Sequence, residues 1–235
     1  MNISGVQQFT TLDFPGRIAC IIFTAGCNFR CGFCHNPEFV LPEKIQKIQD
    51  TFISKDAVFN FLESREGLLE GVVISGGEPT MQPDLLDFIT KIRNEFDYEI
   101  KLDSNGNRPE ILQEAIEKNL LDYIAMDIKQ DFEDYQNLVG GRVNTTKMQQ
   151  SIDLLKQERI EYEFRTTLIK GIHTRENLEN IADLISGAEN YYLQEYRNGH
   201  TLDPDFVQYD SFSNKEMKQI KQIFEDKVNT VQIRD

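Results

Sequence analysis

Short apolar runs alternate with amphipathic stretches along most of the chain. Residues 18–23, 72–75, 98–102, 123–128, 163–169 and 191–195 each read as a strand, rich in β-branched and aromatic residues and too short for a helix. Between them the apolar residues recur at helical spacing. Over 83–96, Leu85, Phe88, Ile89, Ile92 and Phe96 make one stripe, with Pro83 near the first turn. Over 109–119, Pro109 opens a helix whose Ile111, Leu112, Ala115 and Ile116 face inward. Thr145 is a candidate N-cap for a helix carrying Met148, Ile152 and Leu155, and Thr174 for the next, with Gly187 ending it. Ser213 and Glu216 spell a capping box ahead of Met217, Ile220 and Phe224, and a last short strand is expected over 231–233.

Regular alternation of strand and helix implies a parallel sheet with helices on its outer face. Six such units are too few for a closed eight-stranded barrel, so the expected fold class is α/β, a partial, open (β/α)6 barrel, with a doubly wound sheet as the alternative. No fixed-period repeat, low-complexity segment or Pro/Gly/Ser linker divides residues 1–235, which are expected to form one domain. In either fold chemistry belongs at the carboxyl ends of the strands. The unusual residues cluster there: a cysteine loop after the first strand, Gly76-Gly77-Glu78 after the second, Asp103-Ser104-Asn105 after the third, and Asp127 and Lys129 at the end of the fourth.

Composition narrows the setting. Of 235 residues, 40% are hydrophobic, enough for a sizeable core, and the net charge of −14 argues against nucleic acid or an anionic membrane as a partner. The longest apolar run, over 18–25, is too short to span a bilayer, and Met1-Asn2-Ile3-Ser4 does not read as a signal peptide. Four cysteines are few for a disulfide framework, and three of them crowd between positions 27 and 34, which suggests metal in a reducing, cytoplasmic compartment.

Cys27, Cys31 and Cys34 have the spacing C-x3-C-x2-C. A tight loop of this spacing points three soft thiolates at one centre, which suits an iron–sulfur cluster, zinc or Cu(I). Zinc wants a fourth ligand, and Cys20 lies inside a predicted strand while His35 adjoins Cys34; a Cys3His knuckle is the alternative to a cluster. Cys20 is expected to be a packing residue. Gly76 and Gly77 allow backbone to approach a ligand closely, and Glu78 can accept hydrogen bonds from an ammonium group, unless this is an ordinary βα turn. Asp103, Ser104 and Asp127 are hard oxygen groups suited to a small cation or to ribose hydroxyls; turn capping and a solvent ion pair of Lys129 are the other reading. Arg165, inside a strand, needs a partner, in an active site or in a barrel-lining ion pair.

The cysteine loop, including Phe33 before its third cysteine, resembles the signature of the radical S-adenosylmethionine (SAM) superfamily, and Gly76-Gly77-Glu78-Pro79 resembles that family's GGEP motif. The resemblance implies that Cys27, Cys31 and Cys34 hold a [4Fe–4S] cluster whose free iron chelates SAM, and that Gly76, Gly77 and Glu78 hold the methionyl amino group. Asp103, Ser104, Asp127 and Lys129 match segments that contact SAM in glycyl-radical-enzyme activases and, in one branch, a monovalent cation beside its carboxylate. Arg165 is similar to an active-site arginine of the family. Residues 169–173 stand where the family packs adenine, although His173 reads as a surface loop residue. Tyr196-Arg197 departs from the Tyr-His of some activases, so no ribose contact is carried over there.

Asp13-Phe14-Pro15-Gly16 and Cys34-His35-Asn36-Pro37 also resemble the activases, most nearly the anaerobic ribonucleoside-triphosphate reductase activating proteins. This implies reductive cleavage of SAM and a glycyl radical on an anaerobic ribonucleotide reductase, with a flavodoxin- or ferredoxin-type electron donor. A different glycyl radical enzyme of the pyruvate formate-lyase type, or a small molecule, is the alternative substrate; a zinc-binding interaction module is the remote one.

Overall fold

A computed structural model describes residues 1–234. Eight strands lie side by side in chain order in one sheet: β1 (Ile3–Thr10), β2 (Ala19–Thr24), β3 (Gly71–Gly76), β4 (Glu99–Ser104), β5 (Tyr123–Asp127), β6 (Glu161–Leu168), β7 (Asn190–Glu195) and β8 (Thr230–Arg234). β1 runs antiparallel to β2, and every later neighbour is parallel. The expected α/β partial barrel is therefore present, its six anticipated parallel strands being β2–β7 with β8 as the seventh.

Side chains alternate between the two faces of each strand. On the outer face Cys20, Ile22, Val72, Ile74, Ile100, Leu102, Ile124, Met126 and Phe164 join the main core beneath the helices. The helix α3 (Leu85–Glu95) shows why it packs there: Leu85, Phe88, Ile89 and Ile92 are at most 2% exposed, and each such side chain contributes about 1.5–3 kcal/mol by leaving water. The inner face is divided. Under β2 and β3, Ala19, Ile21 and Val73 form a small second core with Phe14 and Tyr123. Under β4 to β8 it is charged, with Lys101, Asp103, Asp127, Glu163, Arg165 and Arg234 in contact with one another.

Sequence and structure differ in places. β1 escapes the strand pattern because Gly5, Gln7 and Gln8 dilute it; as the edge strand it needs only one neighbour, β2. Two short helices, α1 (Pro42–Ile48) and α2 (Lys55–Glu63), and α5 (Tyr135–Val139), which follows the Pro109 helix α4 (Pro109–Glu117), are further elements the periodicity does not reveal. Asn144, not Thr145, caps α6 (Thr145–Leu155), its side chain accepting from Lys147 N at 3.0 Å. Thr174 caps α7 (Arg175–Leu184) as read, completing a box with Asn177 that was not anticipated, and the Ser213–Glu216 box on α8 (Asn214–Glu225) forms as read, whereas Gly187, at φ 81°, lies beyond the end of α7. Among the described residues no helix is long and apolar enough to cross a membrane.

Candidate active site

The loop after β2 is fastened by its own backbone. Gly26 N donates to Phe39 O (2.7 Å), Arg30 N to Val139 O (2.8 Å) and Cys34 N to Cys31 O (3.0 Å). The Arg30 guanidinium donates to the carbonyls of Cys27 and Phe29, each at 2.7 Å. Thus stapled, the loop sets the free thiols of Cys27, Cys31 and Cys34 along one wall of a cavity. Phe33 continues the wall, 6.1 Å from the Phe206 ring and 5.8 Å from Lys129 Nζ.

Burial pushes the Cys27 thiol up to about 12 and Cys31 to about 11, and raises Cys34 as well. Thiols held so high release their protons only to a tightly bound cation, and three soft sulfurs on one wall suit an iron–sulfur cluster. Among the described residues no three His, Cys, Asp or Glu side chains are gathered around a single-ion position; a four-iron cube takes wider spacing than one ion.

Two glycines set the β3 turn against this loop. Gly76 has φ 118°, and a Cβ there would lie 2.3 Å from Thr24 N; a Cβ on Gly77 would lie 2.3 Å from Gly26 O. The glycines therefore serve the approach of two loops to each other as well as to any ligand. Glu78 follows, 1% exposed. Its Oε1 accepts from Thr80 Oγ1 (2.5 Å), Ser104 Oγ (2.9 Å) and Thr80 N (3.2 Å), and its Oε2 from Asn105 N (2.7 Å). Glu78 thus ties the β3 turn to the β4 turn. Burial raises its carboxyl above the usual range, against the pull of those donors.

A charged array completes the cavity. Arg165 donates from Nε to Asp127 Oδ1 (2.9 Å) and from NH1 to Asp103 Oδ2 (3.4 Å), and Lys129 Nζ donates to Asp127 Oδ2 (3.0 Å). Asp103 also accepts from Lys101 Nζ on Oδ1 (2.6 Å) and from Ser75 Oγ on Oδ2 (3.0 Å). Beneath, the fully buried Glu163 takes two 2.8 Å bonds from Arg234 and one of 2.9 Å from the Tyr123 hydroxyl. Burial opposes ionisation of Asp103 and Asp127, but Arg165 with Lys101 or Lys129 overcomes it and holds both below the ordinary carboxylate range. The same attraction raises Lys129 and Arg165 despite their burial. The barrel-lining ion pair anticipated for Arg165 is present, and it lies in the cavity wall.

Twelve residues singled out in the sequence line this one cavity: Cys27, Cys31, Phe33 and Cys34 from the β2 loop, Gly76, Gly77 and Glu78 from the end of β3 and its turn, Asp103 and Ser104 from β4, Asp127 and Lys129 from the end of β5 and the residues after it, and Arg165 from β6. Its enclosed volume is about 130 Å³. His173 requires correction. It is 4% exposed, its Nδ1 accepts from Ile169 N (3.0 Å), and its Nε2 faces Lys129 O at 3.0 Å. Cys20 is buried packing, as read. Ser75 and Lys101 were not foreseen; the signal was their inward register on β3 and β4, in step with Asp103. Asn28, whose Oδ1 accepts from Asn105 Nδ2 (2.9 Å) while its own Nδ2 is buried without a partner, carries no sequence signal beyond its place in the loop.

Comparison with known proteins agrees with this geometry. Residues 21–185 match the family model described as Radical SAM superfamily. A protein of Methanocaldococcus jannaschii that bears the name glycyl-radical enzyme activating enzyme is 30% identical over 99% of this chain and 95% of its own. The pyruvate formate-lyase-activating enzyme of Clostridium pasteurianum is 25% identical over 86% of this chain and 83% of its own. Among solved structures, Streptococcus suis SuiB bound to S-adenosylmethionine aligns with TM-score 0.64 over 92% of this chain and 52% of that one; at 13% identity the likeness is one of fold. On the strength of the family match and of a relative aligned along nearly its whole length, the chain belongs to the radical SAM superfamily, among its glycyl-radical-enzyme activating enzymes.

Proposed function

We propose that the chain installs a glycyl radical on an anaerobic ribonucleoside-triphosphate reductase, working as one domain over residues 1–235 in a reducing cytoplasm. One observation carries the reading: a single cavity joins three free thiols, the Gly76-Gly77-Glu78 turn and the Asp103, Asp127, Lys129 and Arg165 array. In this reading Cys27, Cys31 and Cys34 hold the [4Fe–4S] cluster, leaving one iron open. When bound, cluster and SAM supply an electron-driven cleavage to methionine and a 5′-deoxyadenosyl radical that takes hydrogen from a glycine of the partner.

The chain's own residues position and shield. Gly76, Gly77 and Glu78 receive the methionyl ammonium. Lys129 and Arg165 face the carboxylate, and Asp103, Ser104 and Asp127 present oxygens to the rest of SAM. Fixed charges in a partly buried wall need no reorganisation when the ligand reacts. Phe33 and its packing on Phe206 keep water from that wall. A monovalent cation beside SAM, admitted by the resemblance, would sit among Asp103, Ser104 and Asp127, where the chain already supplies Lys101.

The Asp13-Phe14-Pro15-Gly16 and Cys34-His35-Asn36-Pro37 runs support the reductase as target. The likeness to the Clostridium pasteurianum protein supports a second reading, a pyruvate formate-lyase type of partner. The test is anaerobic: chain, reduced flavodoxin or ferredoxin, SAM and each candidate partner are mixed and frozen. A glycine-centred doublet in electron paramagnetic resonance is expected with the reductase. A doublet only with pyruvate formate-lyase moves the target; SAM cleavage that needs a metabolite instead of either points to a small molecule; one zinc and no iron after anaerobic purification makes the chain a zinc-binding module.

A further inference from the structure

Two carboxylates aimed into one partly buried cavity, with a hydroxyl beside them, are the kind of hard oxygen set that draws a dissolved cation. Asp103 and Asp127, beside Ser104, are such a set. Their oxygens are already matched from within the chain. Asp127 has Arg165 on one oxygen and Lys129 on the other. Asp103 has Ser75 and Arg165 on Oδ2 and Lys101 on Oδ1.

Lys101 is the unusual member. Its side chain is 1% exposed, the most buried cation of the array. It sits two residues before Asp103 on the same face of β4, so its ammonium reaches along the strand toward the carboxylate, ending 2.6 Å away. Its register partners are Val73 on β3 and Tyr123 on β5, neither a countercharge, and the Tyr123 hydroxyl is given to Glu163. Among the described residues Asp103 is its one ion-pair partner. An ammonium withdrawn so far from water is costly, and here it serves a single carboxylate. Ammonium and potassium ions are similar in size and charge, so a lysine head at this point is a cation on a stem.

We propose that Lys101 is a tethered cation: its ammonium takes the place beside Asp103 that free Na⁺ or K⁺ would otherwise take, so that the cavity becomes ready for an anionic ligand group without any dissolved cation. The ligand part of this rests on the SAM reading above; the cation part does not.

The test uses the full chain at constant ionic strength in NaCl, KCl or tetramethylammonium chloride, the last too large to enter. The unaltered protein is expected to melt at one temperature in all three salts. Lys101→Met keeps the stem and removes the charge; it is expected to melt lower in tetramethylammonium chloride and to recover saturably with NaCl or KCl. SAM binding to the cluster-loaded protein, by equilibrium dialysis, should follow suit. The unaltered chain should bind within about twofold in every salt, and Lys101→Met about tenfold more weakly in tetramethylammonium chloride, with recovery in Na⁺ or K⁺.

A saturable Na⁺ or K⁺ effect on the unaltered protein overturns the proposal, and so does a Lys101→Met protein that melts alike in all salts. If that variant does not fold, the unaltered protein still decides, together with Lys101→Met/Asp103→Asn, which removes both charges: the double variant is expected to ignore the salt, and a saturable K⁺ effect on it overturns the proposal. Absence of SAM binding in every salt speaks against the SAM reading, while the melting data judge Lys101 separately.

Discussion

Asp127 and Arg165 stand opposite each other in the β5–β6 register and also share a charged hydrogen bond of 2.9 Å. Strand pairing therefore fixes the ion pair, and the ion pair in turn reports on the strand pairing. Arg165→Met leaves Asp127 and Asp103 each short of a cation in a mostly buried site. We expect a loss of about 3–5 kcal/mol in urea denaturation at neutral pH. Arg165→Lys should recover only part of this, because one ammonium does not reproduce the fork that reaches both carboxylates. A loss below about 1 kcal/mol would show that Lys101 and Lys129 suffice alone.

Cys31→Ala should strip the protein of iron and of its brown absorbance while leaving the far-ultraviolet circular dichroism unchanged. Two remaining thiolates do not hold a cubane, whereas the fold around position 31 is carried by backbone bonds and by Arg30. Retained colour and retained SAM cleavage would refute the assignment of Cys31.

Glu78→Gln keeps the size of the side chain but turns an NH₂ toward donors from Thr80, Ser104 and Asn105. One or more of those donors loses its acceptor, at about 1–3 kcal/mol. We expect a lower melting temperature, SAM binding weakened at least about tenfold in dialysis, and iron content intact. Iron loss in this variant would mean that the Glu78 carboxylate also holds the cysteine loop, through Asn105, whose side chain donates to Asn28.

His173 gives the fold a pH dependence. Burial holds its imidazole below the ordinary histidine value of 6.5. The hydrogen bonds agree: Ile169 N donates to Nδ1, so only the neutral ring protonated at Nε2 satisfies both neighbours, and a proton on Nδ1 would face an N–H. Because the folded value is depressed, the unfolded chain takes up the proton first as pH falls below 6.5. Stability is thus complete above 6.5 and drops below it, by at most about 1.4 kcal/mol per pH unit. Urea denaturation from pH 7 down to 5 should show this slope, and His173→Gln should flatten it. An unchanged slope in the variant would place the titration elsewhere.

Most of the site was legible because it follows a rule of the fold: ligand groups stand where parallel strands end, and strand ends show up as apolar runs that stop at Gly, Asp or Cys. The three cysteines, the Gly76-Gly77-Glu78 turn and the Asp103 and Asp127 segments could be placed together on that basis alone. Lys101 could not. Glu99-Ile100-Lys101-Leu102-Asp103 reads as a strand with one wet face, and only closure of the sheet turns that face into an interior. His173 was misplaced for a related reason, since its burial depends on the Lys129 carbonyl, 44 residues earlier. β1 was missed because an edge strand with one neighbour tolerates Gly5 and two glutamines.

The division of the barrel interior into an oily side and a salted side has a consequence for how this molecule can vary. Ala19, Ile21 and Val73 can be exchanged one at a time for residues of like volume. Lys101, Asp103, Asp127, Glu163, Arg165 and Arg234 are bookkeepers of each other's charge, and a lone change at any of them strands its neighbours in a place water reaches poorly. Viable descendants must alter that side two positions at a time, so the two sides of the barrel interior drift by different rules.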